Sequence, residues 1–217
     1  MSERNTDDIE KIWMKRIRNL AGFMGMILPW VSLIGAILVA RTKGIPDGFW
    51  GDLSISETYY VTPPLVGILT TASVILMCYK GYNLKDHVIS ALAGIFGLMI
   101  VIFPCNCPAA SDIVGFFQLP VKISHVIHCA SAVAFFLLLS YMSLFQFTKG
   151  ADTSNKHIKN IIFRICGIGM LCSLALMLIP IDFVAKIFIV EAIALTFFGV
   201  SWLIKGEVFG ILSDDKS

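Results

Sequence analysis

Lys122-Ile123-Ser124-His125-Val126-Ile127-His128 opens an apolar run to Phe147, and after His128 no Lys, Arg, Asp, Glu or His occurs before Lys149. The run is long enough to cross a bilayer, for which a helix needs about 20 apolar residues. Imidazole is rare inside such a helix unless it faces a protein interior or a water-filled cavity. His125 and His128 are therefore the first candidates for function.

The rest of the chain shares this character. Of 217 residues, 57% are hydrophobic and 15% charged, and mean hydropathy is +0.81, whereas about a quarter of a soluble domain is charged. A formal charge of +2 is too small to argue for nucleic acid, and the basic residues look scattered over chain ends and loops instead of forming one patch. The cysteines at 78, 105, 107, 129, 166 and 172 have no CxxC or Cys/His zinc spacing, so no disulfide framework is implied. Cys105-Asn106-Cys107 gives only a weak redox or metal hint, because cysteines so close in sequence close a strained ring.

Working outward, residues 1–19 are polar, with Ile9, Ile12, Trp13, Ile17 and Leu20 at helical spacing among lysines and arginines. This predicts a short cytoplasmic amphipathic helix at the interface. Apolar runs then occupy Leu20 to Ala40, Tyr60 to Tyr79, Val88 to Phe103, Ile123 to Phe147, Ile161 to Ile179 and Phe183 to Ile204. The first is read as an uncleaved span because it has full spanning length behind a long charged leader. The third is short, so it either tilts little or borrows Leu84 to His87 at one end. The expected fold is an all-α integral membrane protein: a six-transmembrane-helix bundle over 20–204 and a cytoplasmic tail over 205–217.

Orientation follows from Lys and Arg in the short loops. With the N-terminus inside, thirteen of the seventeen basic residues fall on inner segments, and Arg41, Lys43, Lys122 and Lys186 are left outside. Both termini are then cytoplasmic. Spans two, four and six end in Lys80-Gly81, Lys149-Gly150 and Lys205-Gly206, predicting a left-handed glycine at C′ and a lysine complementing the helix C-terminus. Small residues four apart, Ser32/Ala36, Ser90/Gly94, Ala93/Gly97 and Gly169/Ser173, favour close helix contact in lipid.

Several polar groups could carry chemistry. His125 and His128 lie about 60° apart on one helix face, where imidazoles can ligate zinc or simply bond Ser124 and backbone carbonyls. Glu191 sits roughly 12 Å from the outer end of span six and needs a partner or a proton. A contact with His128 would answer both desolvation costs. The outer loop holds Ser54, Ser56, Glu57, Tyr59 and Tyr60 ahead of Pro63-Pro64. It is either an ordinary interface anchor and helix start or a lid that completes a polar pocket with the His pair. Asp182 and Lys186 suggest a local ion pair. No Gly-x-Ser-Gly nucleophile is present, and only span four has histidine within it, which argues against a rhomboid-like hydrolase and a transmembrane haem pair.

Through Ser54-Ile-Ser-Glu-Thr-Tyr-Tyr, Tyr79-Lys-Gly-Tyr, Leu92-Ala-Gly-Ile-Phe, Phe103-Pro104, the span-four histidines, Glu191 and Ser201-Trp-Leu-Ile-Lys-Gly-Glu, the chain resembles uncharacterised bacterial six-span membrane proteins. It is distantly similar to the Frag/DRAM group, whose outer loop also has an Ile-Ser-acid stretch before a Pro-started second span. That resemblance implies a lipid-linked role. A weaker similarity to the alkaline ceramidase and PAQR superfamily implies zinc held by three His, but this chain has no His-x-x-x-His. The expectation is an outer-half pocket of His125, His128, Glu191, Ser54, Ser56, Glu57, Tyr59 and Tyr60 that binds a membrane lipid or amphiphile. The alternatives are a metal-dependent hydrolase with zinc on His125, His128 and Glu191, and a structural or partner-binding subunit.

Overall fold

Long apolar runs with few internal breakers fold as helices, which is how a chain satisfies its backbone away from water. The computed structural model describes residues 3–43, 53–150, 155–181, 183, 185–210 and 212. It is 78% helical. The helices are α1 (Glu3–Lys43), α2 (Pro64–Cys78), α3 (Leu84–Ile102), α4 (Val121–Tyr141), α5 (Lys156–Leu178) and α6 (Lys186–Lys205). Five of these six, all but the 15-residue α2, are long and apolar enough to cross a membrane. A two-stranded ribbon, β1 (Ile113–Val114) with β2 (Leu119–Pro120), ties off the α3–α4 connection.

Each helix packs on the next in sequence, and α6 returns to pack on α1, closing an up-and-down ring. The surface is inverted relative to a soluble protein. Trp30, Ile34, Leu38, Val126 and Ile165 are more than half exposed, whereas Ser32, Ser73, Ser90, Ser131, Ser143 and Ser201 are buried. Ser90 donates to the Leu76 carbonyl at 2.7 Å, and Ser143 and Ser201 share a 2.7 Å bond between α6 and the turn after α4. Polar groups glue the helices from inside while apolar side chains face outward, as lipid requires.

The expected small-residue contacts are present at α2–α3. A Cβ on Gly94 would fall 2.9 Å from the Met77 nitrogen, so glycine there lets the two backbones touch. Ser90 and Ala93 beside it are fully buried.

Three local features differ from the sequence reading, and one expected feature is present. Residues 3–19 form no separate helix, because α1 runs unbroken past Leu20; nothing between Glu3 and Ala21 is a helix breaker. Helix α2 begins at Pro64 instead of Tyr60, since Tyr60 belongs to a 3-10 turn, Ser56–Tyr60. Helix α3 does take in Leu84 to His87, with Asn83 capping it by accepting the Asp86 N–H at 2.9 Å. Of the three Lys-Gly stops, only Gly150 is left-handed, at φ 118. Gly206 has φ −84, and what excludes a side chain there is the Asn19 backbone, 3.0 Å from where a Cβ would sit. Asp182 lies outside the described residues, as do Gly51 and Asp52.

Candidate functional site: a hydrogen-bonded chain under the loop before α2

At 1.5 Å per residue, α2 is about 22 Å long, short of a hydrocarbon core of about 30 Å. Residues 53–63 ahead of it sink into the end of the bundle: Leu53, Ser54, Ile55, Glu57, Thr58 and Thr62 are all buried. Non-helical backbone at such depth must find partners within the protein. Leu53 accepts the Phe188 N–H at 3.1 Å, Ser54 Oγ accepts the Glu57 N–H at 3.0 Å, and Thr58 Oγ1 donates to the Ile55 carbonyl at 2.5 Å.

Glu191 supplies the decisive contact. Its Oε2 accepts the Ile55 N–H at 2.6 Å, and its Oε1 accepts from Ser56 Oγ at 3.3 Å. Ser56 Oγ also lies 3.1 Å from His128 Nε2. On the other side of the imidazole, Nδ1 reaches the Phe103 carbonyl at 2.9 Å and the Ile100 carbonyl at 3.1 Å. Both partners are acceptors, so Nδ1 carries the hydrogen. His128 thereby caps carbonyls that the end of α3 leaves without helical partners. Ser124 performs the same task one turn earlier, donating to the Pro104 carbonyl at 2.8 Å.

His128 and Glu191 are thus joined through Ser56, where the sequence suggested a direct contact. The other candidate residues disperse. His125 accepts the Asn106 N–H at 3.2 Å and lies 3.6 Å from Cys129 Sγ, facing the α3–α4 connection. Ser54 and Glu57 are buried within the loop itself. Tyr59 and Tyr60 pack edge to face at 5.0 Å, and the Tyr60 hydroxyl donates to the Cys105 carbonyl at 2.7 Å. Cys105 and Cys107 are free thiols. Burial pushes both above their ordinary value, which suppresses thiolate chemistry.

His125, His128 and Glu191 do not converge on one point as arranged. His128 engages both ring nitrogens, and among the described residues no group of three or more His, Cys, Asp or Glu is placed to hold a metal ion. What does meet Ser56 and Glu191 is an apolar cleft of about 40 Å³ walled by Leu28, Leu65, Leu69, Phe135 and Phe136. A hydrogen-bonding end on an apolar wall suits a molecule with a polar head and a greasy body.

Sequence reasoning missed the opposite end of the bundle. Arg18, Lys149, Lys156, Lys159 and Lys205, which looked scattered, line one cavity there. The available signal was that four of the five flank the ends of α4, α5 and α6, which an up-and-down ring brings to one side. No known protein family, characterised relative or solved structure matches the chain.

Proposed function

We propose that the chain is a six-span inner-membrane protein, both termini cytoplasmic, that binds the polar end of a lipid or other amphiphile beneath its outer loop. The observation that carries this reading is the Glu191–Ser56–His128 chain standing at the apolar cleft. Leu and Phe side chains would receive the hydrocarbon, while Ser56 and Glu191 would bond a hydroxyl, amide or ester. The cleft admits only a few atoms at about 40 Å³, so binding goes with outward movement of residues 53–63. α2 counts as the sixth span because that buried segment completes its depth.

The test is lipid mass spectrometry of protein purified in mild detergent. A defined amphiphile should accompany the wild type and His125→Ala, and be lost from Ser56→Ala and Glu191→Gln. Equal retention in all four proteins would refute the reading. The hydrolase alternative, with zinc on His125, His128 and Glu191, requires those side chains to reorient, and stoichiometric zinc in the purified protein would favour it. Absence of both lipid and zinc leaves a structural or partner-binding subunit.

A further inference from the structure

The cavity at the other end of the bundle is the larger, about 170 Å³, and Arg18, Lys149, Lys156, Lys159, Lys205 and Glu207 are among its walls. That is more than ten times the roughly 10–15 Å³ that a single water needs, enough for a phosphate group.

Its cations are held in place. Glu207 bridges Lys159 at 2.9 Å and Lys15 at 2.8 Å. Asp86, itself buried, holds Lys149 at 2.6 Å. Lys156 donates to the Lys149 carbonyl. Lys205 donates to the Tyr82 hydroxyl at 2.8 Å and sits 4.9 Å from that ring's centroid and 5.6 Å from that of Phe147. A carbonyl, a hydroxyl and ring faces are thus among the groups that position these two ammonium groups. Helix α5 adds the positive end of its dipole, because it starts at Lys156.

A second observation is independent of the charges. Among the described residues, buried side-chain polar atoms without a protein hydrogen bond include Arg18 Nε, Asn19 Oδ1, Asp86 Oδ2, the Gln146 amide and Asn160 Oδ1 toward this end, with Ser32 Oγ, Glu57 Oε2 and Ser73 Oγ elsewhere. Arg18 is also a wall of the cavity. Buried polar groups are almost always satisfied, so this region is built for water or a polar ligand.

We propose that this cavity is a binding site for a phosphate-bearing anion, either the headgroup of an anionic phospholipid or a free phosphate compound. Arginine and lysine around a small cavity, partly shielded from water, are the side chains that recognise phosphate. The site is remote from Ser56 and does not depend on the outer cleft.

The test uses the full chain in two arms. In detergent, inorganic phosphate is titrated at constant ionic strength against chloride, with the thermal midpoint as readout. In nanodiscs of phosphatidylcholine with and without phosphatidylglycerol, retained lipid is measured by native mass spectrometry. A free-phosphate site predicts a midpoint rise with phosphate. A lipid site predicts preferential retention of phosphatidylglycerol. In either case Arg18→Gln and Lys156→Gln should each weaken binding about tenfold, the worth of one charge-assisted hydrogen bond, while Lys122→Gln leaves it unchanged. If a variant does not fold, the wild-type arms still decide. No midpoint rise together with no lipid preference would overturn the proposal, as would equal weakening by Lys122→Gln.

Discussion

Ser56 has one hydroxyl hydrogen, and two acceptors compete for it. Since His128 Nδ1 gives its hydrogen to carbonyls, a neutral imidazole leaves Nε2 bare, 3.1 Å from Ser56 Oγ. Glu191 Oε1 is 3.3 Å away on the other side. If the hydroxyl serves the imidazole, Glu191 must hold a proton to bond Ser56; if it serves the carboxylate, Nε2 must hold one. Either way one proton is shared along the chain, and the three residues form a unit. Glu191→Ala should be the costliest single change, because it also strips the Ile55 N–H of its partner; a buried unsatisfied group costs about 1–3 kcal/mol. Glu191→Ala and His128→Ala together should lose less than their sum, by about 0.5–3 kcal/mol. Repeating that cycle in a Ser56→Ala background checks the route. Coupling that survives unchanged there would mean that Ser56 is not the link.

At the scale of elements, helix pairs are held by close approach at some positions and by charge at others. Gly94→Val should force α3 off α2 and lower stability by about 1–3 kcal/mol, as overpacking does. Gly67 is the internal control: it lies in α2 with nothing within 4 Å of a built Cβ, so Gly67→Ala should be neutral or stabilise by up to about 1 kcal/mol. Thermal unfolding in detergent reads both. Glu207 joins α1 to α5 through Lys15 and Lys159. Burial raises its carboxyl, but hydrogen bonds from these lysines outweigh that and hold it below its ordinary value of 4.5. A depressed pKa adds stability above the unfolded value and loses it as pH falls through the folded one. The wild-type midpoint should therefore drop more steeply on acidification below about 4.5 than that of Glu207→Gln. Parallel slopes would show that the bridge contributes nothing. These links also mark what a sequence can disclose. Hydropathy is written along the chain, so the apolar runs were legible, and a lone acid in one of them announced its need for a partner. The partner's identity was not legible, because Ser56 reaches Glu191 only after residues 53–63 fold inward. Nor was the basic cavity, since it requires Arg18, Lys159 and Lys205 to meet when α6 closes onto α1.

For the whole molecule, the outstanding quantity is orientation. The ring places the α2–α3 turn, the α4–α5 connection and the end of α6 on one side, where Lys149 meets Asp86 and Lys205 meets Tyr82. The loop 53–63 and the α3–α4 connection share the other, where Tyr60 meets Cys105. Thirteen of seventeen basic residues belong to the first side or to the N- and C-terminal segments assigned to it, and short basic segments are retained in the cytoplasm. Reporter fusions after Lys80 and Lys149 should therefore report cytoplasm, and one near Asp112 the outer side. The informative position is Thr62, between the sunken segment and α2. If α2 and its buried approach span together, a cysteine at Thr62 should resist membrane-impermeant thiol reagents from either side, while one at Asp112 is labelled from outside. The native thiols set the baseline, measured on the unmutated chain. Labelling at Thr62 from the cytoplasmic side, or a cytoplasmic signal at Asp112, would leave α2 as a helix that does not cross, and the chain as a five-span protein with its termini on opposite sides.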